Sequence, residues 1–207
     1  MLANPASDTE TWRCSLTRDG DYTVEALRRK LEPVPGDSSD SKITWCKEIP
    51  IKVLTFVWKA AQGKIPSAIA LSTRGISVPS TGCGTCREPE NADHILMSCP
   101  FASKIRIWIG NWTGMQLTSL GDTRSLLDYA KHWGRCPKKR RVLTMIIYGM
   151  FWCLWKARND RVFSKRVSSA SGIFDEIMSL VFFWGKHRGS LGINSWSDWI
   201  MCPFSGL

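Results

Sequence analysis

Four potential metal ligands fall within seventeen consecutive residues of this chain. They read Cys-x2-Cys-x7-His-x4-Cys and are Cys83, Cys86, His94 and Cys99. A Cys-x2-Cys turn places two thiolates on one side of a metal ion, and an imidazole and a third thiolate can complete a tetrahedron. Because these four groups fill every position of a four-coordinate zinc ion, none is left to activate water. The spacing therefore predicts a structural Zn²⁺ site and argues against a catalytic one.

The same cysteines could instead be disulfide partners, or could stand together by chance. The chain has eight cysteines and three histidines. Its first residues are polar and acidic, without the apolar segment of a secretory signal, so we expect an intracellular, thiol-reducing location. Disulfides are rare in such a location, and zinc is therefore the preferred interpretation.

The residues around these ligands follow a pattern that extends over about residues 12 to 112. It includes Ile49-Pro50-Ile51-Lys52-Val53, Phe56-Val57-Trp58, Lys64-Ile65-Pro66-Ser67, Arg74-Gly75-Ile76, His94-Ile95-Leu96, Cys99-Pro100-Phe101-Ala102 and Trp108. The pattern resembles the zinc-binding domain of plant LINE-type, non-LTR retrotransposon reverse transcriptases. Two positions depart from it: Asn91 stands where the family favours Thr or Ser, and Ser67 stands where it has Thr.

The resemblance implies a zinc module that follows the polymerase domain of a retrotransposon polyprotein. A polymerase needs paired aspartates for two Mg²⁺ ions, and this sequence contains no Asp-Asp step. It also lacks a Gly-x-Ser-x-Gly elbow, a phosphate-binding glycine loop with Lys and Ser or Thr, and a His-Glu-x-x-His motif. We therefore expect no catalysis from this chain, and any polymerase activity would belong to the parent polyprotein.

Positive charge is concentrated in the second half of the chain. The formal net charge is +10, and residues 113–207 carry 14 basic and 6 acidic residues. Between Lys131 and Arg166 there are 11 basic residues and one acidic residue, Asp160. A clustered basic stripe is typical of proteins that bind a polyanion, so RNA or DNA is the expected partner. The candidate phosphate contacts are Arg74, Arg87, Lys138, Lys139, Arg140 and Arg141.

The run Pro137-Lys138-Lys139-Arg140-Arg141-Val142 resembles short nuclear-import sequences. Consecutive Lys and Arg residues can occupy the acidic pockets of an import adaptor, and they can equally bind phosphates or form a solvated face. The run predicts a nuclear or nucleo-cytoplasmic location.

The apolar spacing predicts a mainly α-helical fold: a small helical zinc-binding module followed by a helical C-terminal extension. Helices are expected from Pro50 to before Gly63, from Ser67 to Gly75, over 101–112 and over 173–186, and a short extended piece over 21–24. The longest predicted helix contains the apolar run 142–155, which is shorter than the roughly 20 residues that cross a bilayer, so no membrane partner is expected. The expected organisation is a disordered lead (1–11), the zinc-binding domain (12–112), a linker with a short helix (113–137), a basic and apolar helical extension (138–190) and a Trp-bearing tail (191–207).

Eleven tryptophans allow two interpretations, because aromatic rings can either fill a core or stack on unpaired bases. Those within apolar helical runs are predicted to be core residues: Trp58, Trp108, Trp152 and Trp155. Those near helix ends and loops are the candidate stacking residues: Trp112, Trp133, Trp196 and Trp199.

Three functional hypotheses follow from these patterns. The first is a non-catalytic, zinc-binding module that binds nucleic acid and derives from a LINE-type reverse transcriptase. The second is a zinc-stabilised scaffold that docks reverse transcriptase domains or a host protein. The third is a fragment of an inactive retroelement with no selected role.

Overall fold

The computed structural model describes residues 14, 15, 17, 19–31, 43–189, 192, 193 and 195–205. The predicted disordered lead, residues 1–11, lies outside them. The chain divides into two compact units, Met1–Asp40 and Ser41–Leu207. Within the described ranges the fold is helical and contains no β-strand, as the sequence predicts.

The described part of the first unit contains one helix, α1, over Val24–Leu31. The predicted extended piece at 21–24 is therefore wrong at its last residue. The Thr23 hydroxyl accepts a hydrogen bond from the Ala26 N–H at 3.1 Å, which is the bond of a helix N-cap. This cap starts the helix at Val24 even though Tyr, Thr and Val favour strands.

The second unit contains seven α-helices within its described residues. They are α2 (Ile51–Ala61), α3 (Ala68–Ser72), α4 (Pro100–Thr113), α5 (Thr123–His132), α6 (Pro137–Ser164), α7 (Ala170–Arg188) and α8 (Trp196–Met201). A π-helical turn over His94–Ser98 precedes α4, and a 3₁₀ turn over Leu117–Ser119 follows it. Among the residues that the structure describes, no helix is long and apolar enough to cross a membrane.

Helix α6 lies at the centre of the second unit. It packs against α2, α5, α7 and the π-helical turn, and every residue from 142 to 151 is buried. A helix that is apolar on all sides needs neighbours on all sides, and this confirms the prediction of a buried helix. The helix is longer than predicted because Pro137 occupies its first turn, where the missing proline N–H has no intrahelical partner to lose.

Helix α2 covers one side of α6 with a narrower apolar face than predicted. Val53, Leu54 and Val57 are buried as expected, but Trp58 is 42% exposed. At 100° per residue, Trp58 lies with Ile51 on the outer side of α2, and the prediction that it is a core residue is wrong. Phe56 is buried instead, with its ring centroid 5.7 Å from that of Trp155.

The tail helix α8 contributes a core tryptophan. Trp199 is 2% exposed and donates its Nε1–H to the Met178 carbonyl at 3.0 Å. Trp112 donates in turn to the Trp199 carbonyl at 3.1 Å, and the two rings meet edge to face at 5.0 Å between centroids. Both rings therefore stabilise the fold and are not free to stack on bases. Their positions near helix ends had suggested that they could stack.

Candidate metal centre

A tight hairpin over residues 81–90 presents the first two cysteines. The Cys83 N–H donates to the Glu88 carbonyl at 2.7 Å, and the Glu90 N–H donates to the Thr81 carbonyl at 2.9 Å. Gly82 pairs with Pro89 across the hairpin, and a Cβ atom on Gly82 would lie 2.9 Å from the Arg87 carbonyl oxygen. Only glycine allows this approach, and it brings Cys83 and Cys86 to one side of the turn.

The π-helical turn presents the histidine. The Asn91 side chain accepts the His94 N–H at 2.7 Å, and the Ser67 hydroxyl accepts the Ala70 N–H at 3.3 Å at the start of α3. Both positions cap a helical segment, and Ser, Thr and Asn all serve this purpose. The two residues that depart from the family pattern, Asn91 and Ser67, therefore both form capping bonds.

The four side chains converge on one point. Their ligand atoms all lie within 4.8 Å of one another, and Cys83, His94 and Cys99 are buried whereas Cys86 is half-buried. The Cys83 and Cys99 sulfurs are 3.9 Å apart, and Cys86 Sγ is 3.2 Å from His94 Nε2. Zinc–ligand lengths of about 2.3 Å to sulfur and about 2.0 Å to nitrogen give tetrahedral ligand separations of about 3.8 and 3.5 Å. The donor set and its spacing thus fit a four-coordinate metal ion.

The spacing and bonding state exclude a disulfide within this cluster. All eight cysteines of the chain lie at described positions and are free thiols. Sulfurs 3.9 Å apart are far outside the length of an S–S bond, which is about 2.0 Å. The disulfide interpretation of these residues is therefore wrong.

The two buried thiols differ in acidity. Burial raises the pKa of Cys83, but hydrogen bonds from the N–H groups of Thr85 and Cys86 lower it by more. The pKa of Cys83 therefore lies below the ordinary thiol value. Burial raises the pKa of Cys99, and the nearby Cys83 and Cys86 sulfurs add to this effect. Because the thiolate is the metal ligand, a dication bound here would displace protons from the cluster.

Ser98 orients the histidine ring. Its hydroxyl oxygen lies 3.4 Å from His94 Nδ1, whereas the other ring nitrogen, Nε2, lies 3.2 Å from Cys86 Sγ. A proton on Nδ1, donated to this hydroxyl, leaves the Nε2 lone pair directed at the cluster. Such second contacts fix the tautomer of metal-binding histidines. Ser98 was not among the predicted site residues, although its position four residues after His94, one helical turn away, was a usable signal.

A buried ion pair joins the metal hairpin to α6. The Arg158 guanidinium bonds both carboxylate oxygens of Glu90, and the two side chains are 11% and 3% exposed. Glu90 also accepts the Ala68 N–H at 3.1 Å, so the same carboxylate holds α3. The sequence offered no signal for this pairing.

The predicted basic contacts occupy separate elements. Arg74 is exposed in the turn after α3, and Arg87 is exposed in the hairpin with φ of 67°. Residues Lys138 to Arg141 form the first turn of α6. Arg140 donates to the Trp133 and Gly134 carbonyls, and Arg141 lies 3.4 Å from the buried Glu48 carboxylate. Lys138 and Lys139 are the residues of this run whose side chains have no hydrogen bond within the described part of the chain.

Comparison with known proteins gives one family. Residues 22–108 match the family model described as zinc-binding in reverse transcriptase. The matched segment contains all four residues of the cluster and ends within α4. This family is the zinc-binding domain and not the catalytic part of reverse transcriptase. Searches among curated proteins and among solved structures gave no match.

Proposed function

Starting from a reverse-transcriptase zinc-binding segment, we propose that this chain is a non-catalytic, zinc-stabilised module that binds nucleic acid through its phosphates. The observation that carries the proposal is the closed cluster of Cys83, Cys86, His94 and Cys99, which is tied to the basic helix α6 within one core. Three thiolates and an imidazole would hold the ion without an open position, so the metal would supply rigidity and no reaction.

The charge distribution supports a polyanion as the partner. Helix α6 carries seven basic residues and one acidic residue. Its middle is buried, so its charges lie in its two end segments, beside α5 and beside the metal hairpin. Lys and Arg side chains bind phosphates with little dependence on base sequence. Their binding weakens as the salt concentration rises, because the free energy gained by releasing counterions becomes smaller.

Metal analysis joined to a binding series tests the proposal. Purified protein is expected to contain one zinc ion per chain, and Cys99→Ser is expected to lose most of it. The zinc-bound protein should bind mixed-sequence single strands, with log affinity falling by about 0.7 per phosphate contact for each tenfold rise in salt. Metal-free protein that is fully folded, or binding that does not depend on salt, would contradict the proposal.

We also propose that the chain derives from a plant LINE-type element and acts in the nucleus. The pattern of residues over 12–112 supports the origin, and the run Lys138 to Arg141 supports import. A fluorescent fusion is expected to enter nuclei, and Lys138→Ala with Lys139→Ala is expected to reduce entry. The matched control is Lys64→Ala with Lys131→Ala, because both lysines lie outside the run. An unchanged distribution of the first variant would refute the import role.

An exposed apolar face favours a second candidate function, the protein-docking scaffold. Ile51 and Trp58 lie on the outer side of α2 and are 72% and 42% exposed, and Trp45 is 64% exposed. Clustered exposed aromatic and aliphatic side chains are typical of protein contacts. Retention of polymerase fragments by the wild type, lost in Ile51→Ser with Trp58→Ser, would support the scaffold. Nucleic-acid binding unchanged by the same variant would show that the two functions use different surfaces.

A further inference from the structure

A groove opens between the metal hairpin and the C-terminal end of α6. It has a volume of about 440 Å³, which is within the range of small-ligand sites. Its lining includes Gly84 and Thr85 from the hairpin, Phe101 from α4, and Arg161 and Lys165 from α6. A narrower crevice lined by Cys83, Cys99 and Arg158 shares Thr85, Phe101 and Arg161 with the groove. The groove therefore borders the metal centre directly.

The charge of the groove is entirely positive. Two cationic side chains and no carboxylate line it. Arg158 is neutralised by Glu90, and Lys156 is paired with Glu176 at 2.6 Å. Neither Arg161 nor Lys165 has a carboxylate within 4 Å among the residues that the structure describes. These two charges are thus available to an anion from outside the chain.

Packing holds Arg161 in place over the groove. Its guanidinium carbon lies 5.3 Å from the centre of the Phe101 ring, which is a cation–π arrangement. Its Cδ atom lies 3.3 Å from where a Cβ atom on Gly84 would be, so the hairpin contacts the arginine stem. A planar guanidinium in a fixed orientation is suited to bidentate recognition of a phosphate.

Lys165 occupies a position where helices usually have glycine. It is the C-cap of α6 in the left-handed conformation, with φ of 56°. Glycine adopts this conformation without strain, whereas a side chain with a Cβ does not. The conformation directs the backbone away from the helix axis and leaves the lysine side chain exposed at the groove.

We propose that this groove binds the phosphodiester backbone of a single-stranded nucleic acid, with the phosphate between Arg161 and Lys165. The apolar part of the lining, Phe101 and Val167, then contacts the sugar or base, and the Thr85 and Ser168 hydroxyls are further donors within the groove. The inference deepens the proposed function, on which it rests, because it gives that function a site. It also places the site outside the predicted basic residues 138–141.

The test compares two charge-matched double variants. Arg161→Gln with Lys165→Gly removes both groove cations, and the glycine is expected to keep the fold at least as stable because φ at 165 is positive. Lys59→Gln with Lys64→Gln removes two exposed charges that neither line the groove nor belong to the basic stripe from Lys131 to Arg166. Each zinc-bound protein is titrated with a labelled single strand of about 16 nucleotides over a salt series.

The groove variant is expected to bind more weakly and to lose about 0.7 from the salt slope, because one phosphate contact is removed. The control variant is expected to keep the slope of the wild type. In the wild type, the amide signals of Gly84 and Thr85 are expected to shift as the strand is added. A groove variant with an unchanged slope, or unshifted signals, would overturn the groove while leaving the proposed function in place. A wild type that binds no strand at any salt concentration would overturn both.

Discussion

Glu90 and Arg158 are 68 residues apart in sequence and form a buried ion pair between the metal hairpin and α6. Loss of one partner leaves the other charge buried without compensation, which typically costs about 3 to 5 kcal/mol. Arg158→Ala is therefore expected to lower the free energy of unfolding by this amount, measured by urea unfolding in excess zinc.

Lys156→Ala is the control for this prediction. Lys156 is two residues away on the same helix, and it and its partner Glu176 are 46% and 38% exposed. Exposed pairs contribute about 0 to 1 kcal/mol. Equal losses in the two variants would mean that the Glu90–Arg158 pair is not buried as described.

Removal of the Ser98 hydroxyl should weaken metal binding without removing a ligand. The hydroxyl contacts His94 Nδ1, and changes to such contacts lower metal affinity by about 10 to 100-fold. Competition with a zinc chelator measures the affinity of Ser98→Ala. Ser72→Ala, an exposed serine at the end of α3, is expected to match the wild type. Equal affinities in both variants would exclude an orienting contribution from Ser98.

The two glycines of the hairpin should respond differently to a methyl group. In Gly82→Ala the new Cβ would lie 2.9 Å from a backbone carbonyl oxygen, so the hairpin has to shift and its zinc affinity should fall. In Gly84→Ala the nearest atom is Arg161 Cδ at 3.3 Å, a side-chain atom that needs to shift by only a few tenths of an ångström. Chelator competition and thermal unfolding check both variants. An equal loss of zinc affinity in the two would contradict the hairpin geometry.

Acid should reduce the contribution of Glu48 to stability. Burial raises the pKa of this carboxyl group, but hydrogen bonds, with Cys46 first among them, and the Arg141 charge lower it below its ordinary value. A carboxylate with a lowered folded pKa stabilises the fold above its unfolded pKa of about 4.3, and this contribution is lost as pH falls through the folded pKa.

Glu48→Gln measures this effect as a difference. The gap in unfolding free energy between wild type and variant is expected to be constant from pH 7 to about pH 5 and to narrow below about pH 4. Both proteins release zinc in acid, so the difference cancels that common loss. A gap that stays constant down to pH 3 would show that the Glu48 carboxylate is not stabilised by folding.

Much of the metal site could be predicted from sequence because its geometry is local. Cys83 and Cys86 share one turn, and the cap at Asn91 sets the turn that carries His94. Helix positions were predictable for the same reason, since periodicity and capping act within a few residues. The long helix was placed correctly, although its first turn was not included.

The interactions between distant segments could not be predicted in the same way. Periodicity shows which face of a helix is apolar but not which residues that face contacts. Trp58 was therefore assigned to the core and Trp199 to a loop. The partner of Glu90, the ring beneath Arg161 and the groove beside it depend on how α6 crosses the hairpin. A single sequence contains no record of that crossing.

The crossing of α6 over the hairpin also has an evolutionary consequence. Similarity to the known zinc-binding segment ends at residue 108, yet the counter-ion of Glu90 and the rings that cover Phe56 come from residues 152–158. A gene fusion or truncation that transfers only residues 22–108 would leave Glu90 without its counter-ion and Phe56 without the rings that cover it. A heritable piece that keeps Glu90 paired and Phe56 covered therefore includes residues 152–158, beyond the part that shows sequence similarity.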